Sequence, residues 1–211
     1  MKTPKILFIC CCSHELRVAV VRKFRKFLEA KCNLRVVAVD QDFIVPADSV
    51  HDWLIKEIMA ARKVVLLHSE ESVINALHYT TSGITQSVSL KTFVTTLEMF
   101  ASSTVDQSKL LHVYFKYTPD GCVVPINCGQ TFKLLDELDG FLTNVCGSSD
   151  FDGSSLLVSN EGRELQHAIK EAEENPLDFG FIPPDPETDS SIDNLSLSSH
   201  MAAIIGSNLT H

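Results

Sequence analysis

The sequence predicts an α/β fold, a parallel sheet with helices on both faces. Three observations point to it. Residues 5–11, 34–39, 63–68 and 110–117 are short runs of mostly apolar side chains, as expected of strands buried on both faces. Each run gives way to a segment whose apolar residues recur at helical spacing. From Pro176 onward that periodicity stops. A flavodoxin-like order of strands is the simplest right-handed winding of such a chain.

Each element has its own signal. Residues 5–11 (KILFICC) form the first strand, and Ser13 is placed to cap the helix that follows. On that helix Leu16, Val20, Phe24, Phe27 and Leu28 share one face, while Arg22, Lys23, Arg25 and Lys26 ride on the other. Residues 34–39 (LRVVAV) make a second strand. A loop through Pro46 leads to a capping box at residues 49–52 and a helix marked by Val50, Trp53, Leu54, Ile58 and Ala61. Residues 63–68 (KVVLLH) are a third strand. The polar stretch 69–87 reads as a long loop with one helical turn near residues 73–77. A helix then runs to about Ser102, carried by Leu90, Phe93, Val94, Leu97 and Phe100. Residues 110–117 (LLHVYFKY) form a fourth strand with Phe115 in its core, ended by the turn Thr118-Pro119-Asp120-Gly121. Residues 123–126 suit a sheet edge because Pro125 cannot donate a ladder hydrogen bond. Leu134, Leu135, Leu138, Phe141, Leu142 and Val145 mark another helix, and Leu165, Ala168, Ile169 and Ala172 a last one. Residues 180–211 hold no Lys or Arg and read as a disordered acidic tail rich in Pro and Ser.

Charge narrows the function. The chain of 211 residues has a net charge of −9, which disfavours nucleic acid or an anionic membrane as the main partner. Residues 1–63 carry a net +5, against −14 for the remainder. Such a division makes one molecule's basic face complementary to another's acidic one. The apolar run near the start is too short for a secretory signal and meets no small-residue cleavage site. With seven cysteines and no signal, a reducing compartment is expected.

Chemical motifs are sparse. The loop after the first strand, Cys12-Ser13-His14-Glu15, has no glycine with which to cradle phosphate, and no GxGxxG or GxxxxGK[ST] occurs. Neighbouring residues of Cys10-Cys11-Cys12 point to opposite faces of a strand, so core packing is expected rather than a metal site. His14 with Glu15, and His68 with Glu70 and Glu71, are read as solvated loop residues rather than acid–base pairs. His112 reads as a core residue. Trp53 and Ile58 read as core anchors of their helix. No catalytic residue, metal or cofactor is assigned.

The ordered set KILFICC, RVVAVD, Trp53 with Ile58 and Ala61, VVLLHS, VYFKY, the Pro-Asp-Gly turn and residues 159–165 (SNEGREL) resembles the SEFIR domain. That domain is the cytoplasmic module of interleukin-17 receptors and their adaptor. The resemblance spans residues 4–179. The related TIR domain usually carries Pro-Gly after the second strand and a late Phe-Trp pair; here Ala47 follows Pro46, and Trp53 stands alone. The resemblance implies a TIR-like fold and a noncatalytic scaffold that binds other SEFIR proteins, homotypically or heterotypically, in interleukin-17-type signalling. It places the chain in the cytoplasm, at the inner face of the plasma membrane when signalling. Loop 69–87 is implied in domain contact. Its Glu70 and Glu71 are then expected to meet Arg22, Arg25 and Lys26 of a second molecule. The alternative is a TIR-like NAD-cleaving enzyme using Glu98.

Overall fold

Period-two alternation in the strands divides the interior into two cores. The computed structural model describes residues 3–39, 50–72, 87–119, 122, 128–148 and 151–177. In β1 (Lys5–Ile9), Ile6 and Phe8 enter one core, and Leu7 and Ile9 the other. There follow α1 (Glu15–Cys32), β2 (Arg35–Val39), α2 (Val50–Ala60), β3 (Lys63–His68) and α3 (Val88–Ala101). Then come β4 (Leu110–Phe115), β5 (Gln130–Leu134), α4 (Leu138–Cys146), the short α5 (Gly153–Leu157) and α6 (Asn160–Glu174). The strands form one parallel sheet in the order β2-β1-β3-β4-β5, the flavodoxin-like order expected. Its register sets Leu7 beside Val37 and Val64, and Val113 beside Phe132.

α1, α4 and α6 supply the first core. Phe24 stands at its centre, with ring centroids 5.3 Å from Phe8, 5.7 Å from Phe115 and 5.5 Å from Phe141. The residues that mark α6, Leu165, Ala168, Ile169 and Ala172, join this core, and α6 packs along α1. α2 and α3 supply the second core through Leu54, Ile58, Phe93, Leu97 and Phe100. The cysteine run follows the alternation: Cys10 and Cys12 lie in the first core and Cys11 in the second, all buried. Burial pushes the Cys11 thiol well up, so it stays protonated and packs as a small apolar group.

The last strand differs from expectation. β5 forms the sheet edge at Gln130–Leu134, and α4 begins only at Leu138. Just two β5 side chains, Phe132 and Leu134, are buried, and Leu134 sits four residues before Leu138. A one-sided edge strand was therefore indistinguishable from the first turn of the helix. Gly129 leads into β5 at φ 83, and a β-carbon there would stand 2.8 Å from the Leu110 carbonyl oxygen. Residues 123–127, the turn expected near 73–77, Ser49 of the capping box and the tail from 178 lie outside the described residues. At α1 the N-cap is His14, without a side-chain cap, rather than Ser13. The amides at that end are served from elsewhere in the fold.

Candidate interaction surface and the filled carboxyl end of the sheet

In open α/β sheets, ligands take the crevice beyond the strands' carboxyl ends, where successive helices leave toward opposite faces. Here that point lies between β1 and β3, since α1 packs on one face and α3 on the other. Glu70–Ser72, directly after β3, turn helically into it. Glu71 Oε2 accepts hydrogen bonds from the backbone amides of Ser13 (2.7 Å) and His14 (3.3 Å), and its Oε1 accepts from the Ser13 hydroxyl. A carboxylate thus occupies the place at the positive end of α1 where this architecture otherwise receives an anion. Glu70 pairs with Arg17 Nη2 at 3.6 Å. Arg17 is only 1% exposed; its Nη1 donates to the Ala172 carbonyl at 2.6 Å, and its guanidinium lies 4.0 Å from the Tyr117 ring centroid. Burial pushes the Tyr117 hydroxyl well above its usual range, opposed by Arg17.

The expectation that Glu70 and Glu71 are solvated is therefore corrected. Both are buried, and both act inside the chain, on α1 itself. A polar stretch in a sequence signals solvent only when no cation or helix end arrives to meet it. Here Arg17 and the α1 amides both do.

His68 is likewise not a solvated loop residue. Its Nε2 lies 2.8 Å from His112 Nδ1, the rings stack, and His112 Nε2 reaches the Cys128 carbonyl at 3.1 Å. One proton arrangement satisfies this chain: His68 Nε2–H donates to His112 Nδ1, and His112 Nε2–H donates to Cys128. It leaves only an acceptor, His68 Nδ1, without a hydrogen bond. Burial, and then the neighbouring His112, push His68 well below the ordinary imidazole value; burial also lowers His112. A base held neutral in the fold takes up protons on unfolding. Its stabilising contribution is present above about pH 6.5, the unfolded value, and is lost as pH falls toward the depressed folded one. The melting temperature should thus fall between pH 7.5 and 5.5 more steeply than in His68→Gln. Equal slopes in the two proteins would remove the pair from the pH response.

Apart from Arg17, the cations discussed on α1 lie outside this crevice. Arg22, Arg25 and Lys26 are exposed. Lys26 pairs with Glu164 at 3.1 Å, as does Lys23 at 2.9 Å, and Lys31 pairs with Glu161 at 2.8 Å. Arg25 pairs with Glu29 of its own helix. Part of the basic half and part of the acidic half thus meet within the molecule, between α1 and α6. The two lysines hold the Glu164 carboxyl down to about 2.

Ile58 and Phe115 are buried, whereas Trp53 is half-buried against the second core, as Val37 and Ile55 are. Trp53 is a lid on that core rather than its anchor. Trp53→Ala should cost about 1–2 kcal/mol from the apolar area released, with cooperative unfolding retained in a thermal melt. A loss above about 3 kcal/mol, the range for a fully buried ring, would show that Trp53 anchors the core after all. Glu98 is exposed on α3.

Arg17 escaped the sequence reading, although a signal for it existed. It precedes Val20 by three residues and Phe24 by seven, so helical spacing puts it on the apolar face.

Among the described residues, no three His, Cys, Asp or Glu side chains group to hold a metal ion, and no helix is long and apolar enough to cross a membrane. Comparison with curated proteins gives no match. Among solved structures, the SEFIR domain of interleukin-17 receptor B is similar, at 20% identity and a TM-score of 0.43, covering 70% of this chain and 98% of that one. A diflavin flavoprotein A3 from Nostoc sp. is similar at 13% identity and a TM-score of 0.33, covering 80% of this chain and 94% of that one. The family model of the SEFIR domain matches residues 4–145, and the chain belongs to that family.

Proposed function

We propose that the chain is a cytoplasmic signalling scaffold that assembles by contact between its SEFIR domain and that of another protein, in interleukin-17-type receptor signalling. It serves either as the intracellular part of a receptor or as a small adaptor, and acts at the inner face of the plasma membrane. Family membership carries this reading. The crevice supports it: Glu71 takes the amides of Ser13 and His14, and Glu70 pairs with Arg17, at the place where a small ligand would otherwise bind. Among the described residues, the outer helical surface is the one we propose to meet a partner.

On that surface we assign the docking face to Arg22, Arg25 and Lys26 of α1. The side chains of Arg25 and Lys26 are 46% and 56% exposed. Exposed ion pairs are worth at most about 1 kcal/mol, so a partner's carboxylates can replace Glu29 and Glu164 at little cost. Clustering of receptors then makes weak contacts effective through local concentration. The experiment is a pull-down with the full chain from cells that express it, asking whether another SEFIR protein is recovered. Recovery is expected, with no release of nicotinamide when the chain is incubated with NAD. Release of nicotinamide would replace the scaffold with an enzyme.

A further inference from the structure

The carboxylates that pair with Arg25 and Lys26 each have a second donor. Glu29 Oε1 accepts from Arg25 Nε at 3.3 Å and from the Val36 backbone amide of β2 at 3.2 Å. Glu164 Oε2 accepts from Lys26 Nζ at 3.1 Å and from Lys23 Nζ at 2.9 Å, while its Oε1 accepts from Asn160 Nδ2 at 3.0 Å. Lys23 and Lys26 lie one turn apart on α1, so a single carboxylate from a neighbouring helix reaches both. The first turn of α6 is fixed in place for this. Ser159 caps it, its hydroxyl accepting from the Gly162 amide at 3.2 Å. A β-carbon on Gly162 would lie 2.6 Å from the Leu156 carbonyl oxygen, so the glycine lets α6 sit close against α5. Behind that turn, Leu165 and Ile169 are buried in the first core.

Given the docking face assigned to Arg22, Arg25 and Lys26, on which this rests, we propose that Glu164 is a built-in competitor there: it holds Lys26 toward α6 until a carboxylate of an acidic partner takes the lysine, and Lys23 keeps Glu164 paired when that happens. Removing the only cation from a carboxylate strands a charge. Here none is stranded, because Lys23 and Asn160 remain on Glu164. Exchange at Lys26 therefore costs little, as expected of an exposed pair. Glu164 also discriminates. An acidic surface whose carboxylate reaches Lys26 displaces Glu164, whereas one that misses the lysine meets a like charge at the margin of the face. Glu29 does the same for Arg25 on the opposite flank, with the Val36 amide as its reserve donor.

The probe is a short fluorescent polyglutamate peptide, titrated at low salt into the folded full chain and followed by anisotropy. Glu164→Gln should bind it up to about five-fold more tightly than the parent, the range of one exposed pair. Glu171→Gln removes the same charge farther along α6 and should change binding far less. Lys23→Met should weaken binding more in the parent than in Glu164→Gln, because only in the parent does it leave Glu164 to Lys26 among the two lysines. Equal gains from Glu164→Gln and Glu171→Gln, an equal loss from Lys23→Met in both backgrounds, or no peptide binding by Glu164→Gln would overturn the exchange. A SEFIR partner recovered from the cell separates this device from the docking face itself. If that partner binds in a salt-dependent way but ignores Glu164→Gln, the competitor is rejected and the face stands. If it ignores both Glu164→Gln and the reversal of Arg22, Arg25 and Lys26 to glutamate while the peptide responds as expected, the face is rejected and the exchange at Lys26 stands.

Discussion

Arg17→Ala is expected to cost about 3–5 kcal/mol of folding stability, the range for stripping one partner from a buried ion pair. The substitution removes the only charge paired with buried Glu70 among the described ion pairs, a 2.6 Å hydrogen bond to the Ala172 carbonyl and the stack on Tyr117. It also loosens α6 from α1, because Ala172 lies on α6. Urea unfolding of the two proteins measures the loss. Arg17→Met combined with Glu70→Leu should recover most of it, since apolar side chains of similar volume replace a buried pair at little cost. A loss below about 1 kcal/mol for Arg17→Ala would mean that water reaches the guanidinium and that the crevice is open.

Phe24→Ala is expected to be of similar size, about 3–5 kcal/mol, from lost burial and the cavity left behind. Phe24 is fully buried, and its three ring neighbours come from β1, β4 and α4. The cavity would thus open at the junction of three elements that cannot all collapse into it. The urea midpoint should fall while the slope of the transition stays the same. An unchanged midpoint would place Phe24 outside the core.

These two residues mark how far the sequence could be read. Phe24 was legible because hydrophobic spacing reports directly on a buried helix face. So were β3 and the parallel order of the sheet, where long apolar runs left little choice. Arg17 was half legible: its spacing put it on the apolar face, but its partners Glu70, Tyr117 and Ala172 come from other elements, and no local pattern announces their arrival. Glu70 and Glu71 misled for the same reason, since their polarity was read as solvent exposure. In the sequence His68 reads as a loop residue, because its stack with His112 depends on the register of β3 against β4, with His68 opposite Tyr114 and Leu66 opposite His112. β5 escaped because an edge strand buries one face and shows only two apolar residues.

The charges on α1 are where the scaffold reading is most exposed to test. The most direct measurement is the affinity of the full chain for a SEFIR partner recovered from the cell, at several salt concentrations, beside the variant carrying Arg22→Glu, Arg25→Glu and Lys26→Glu. Because the pairs these residues make are exposed, the variant should melt within a few degrees of the parent. Binding by the parent should weaken steadily as salt rises, and the variant should bind roughly ten-fold more weakly or worse at low salt. Salt-independent binding, with the variant equal to the parent, would contradict the account.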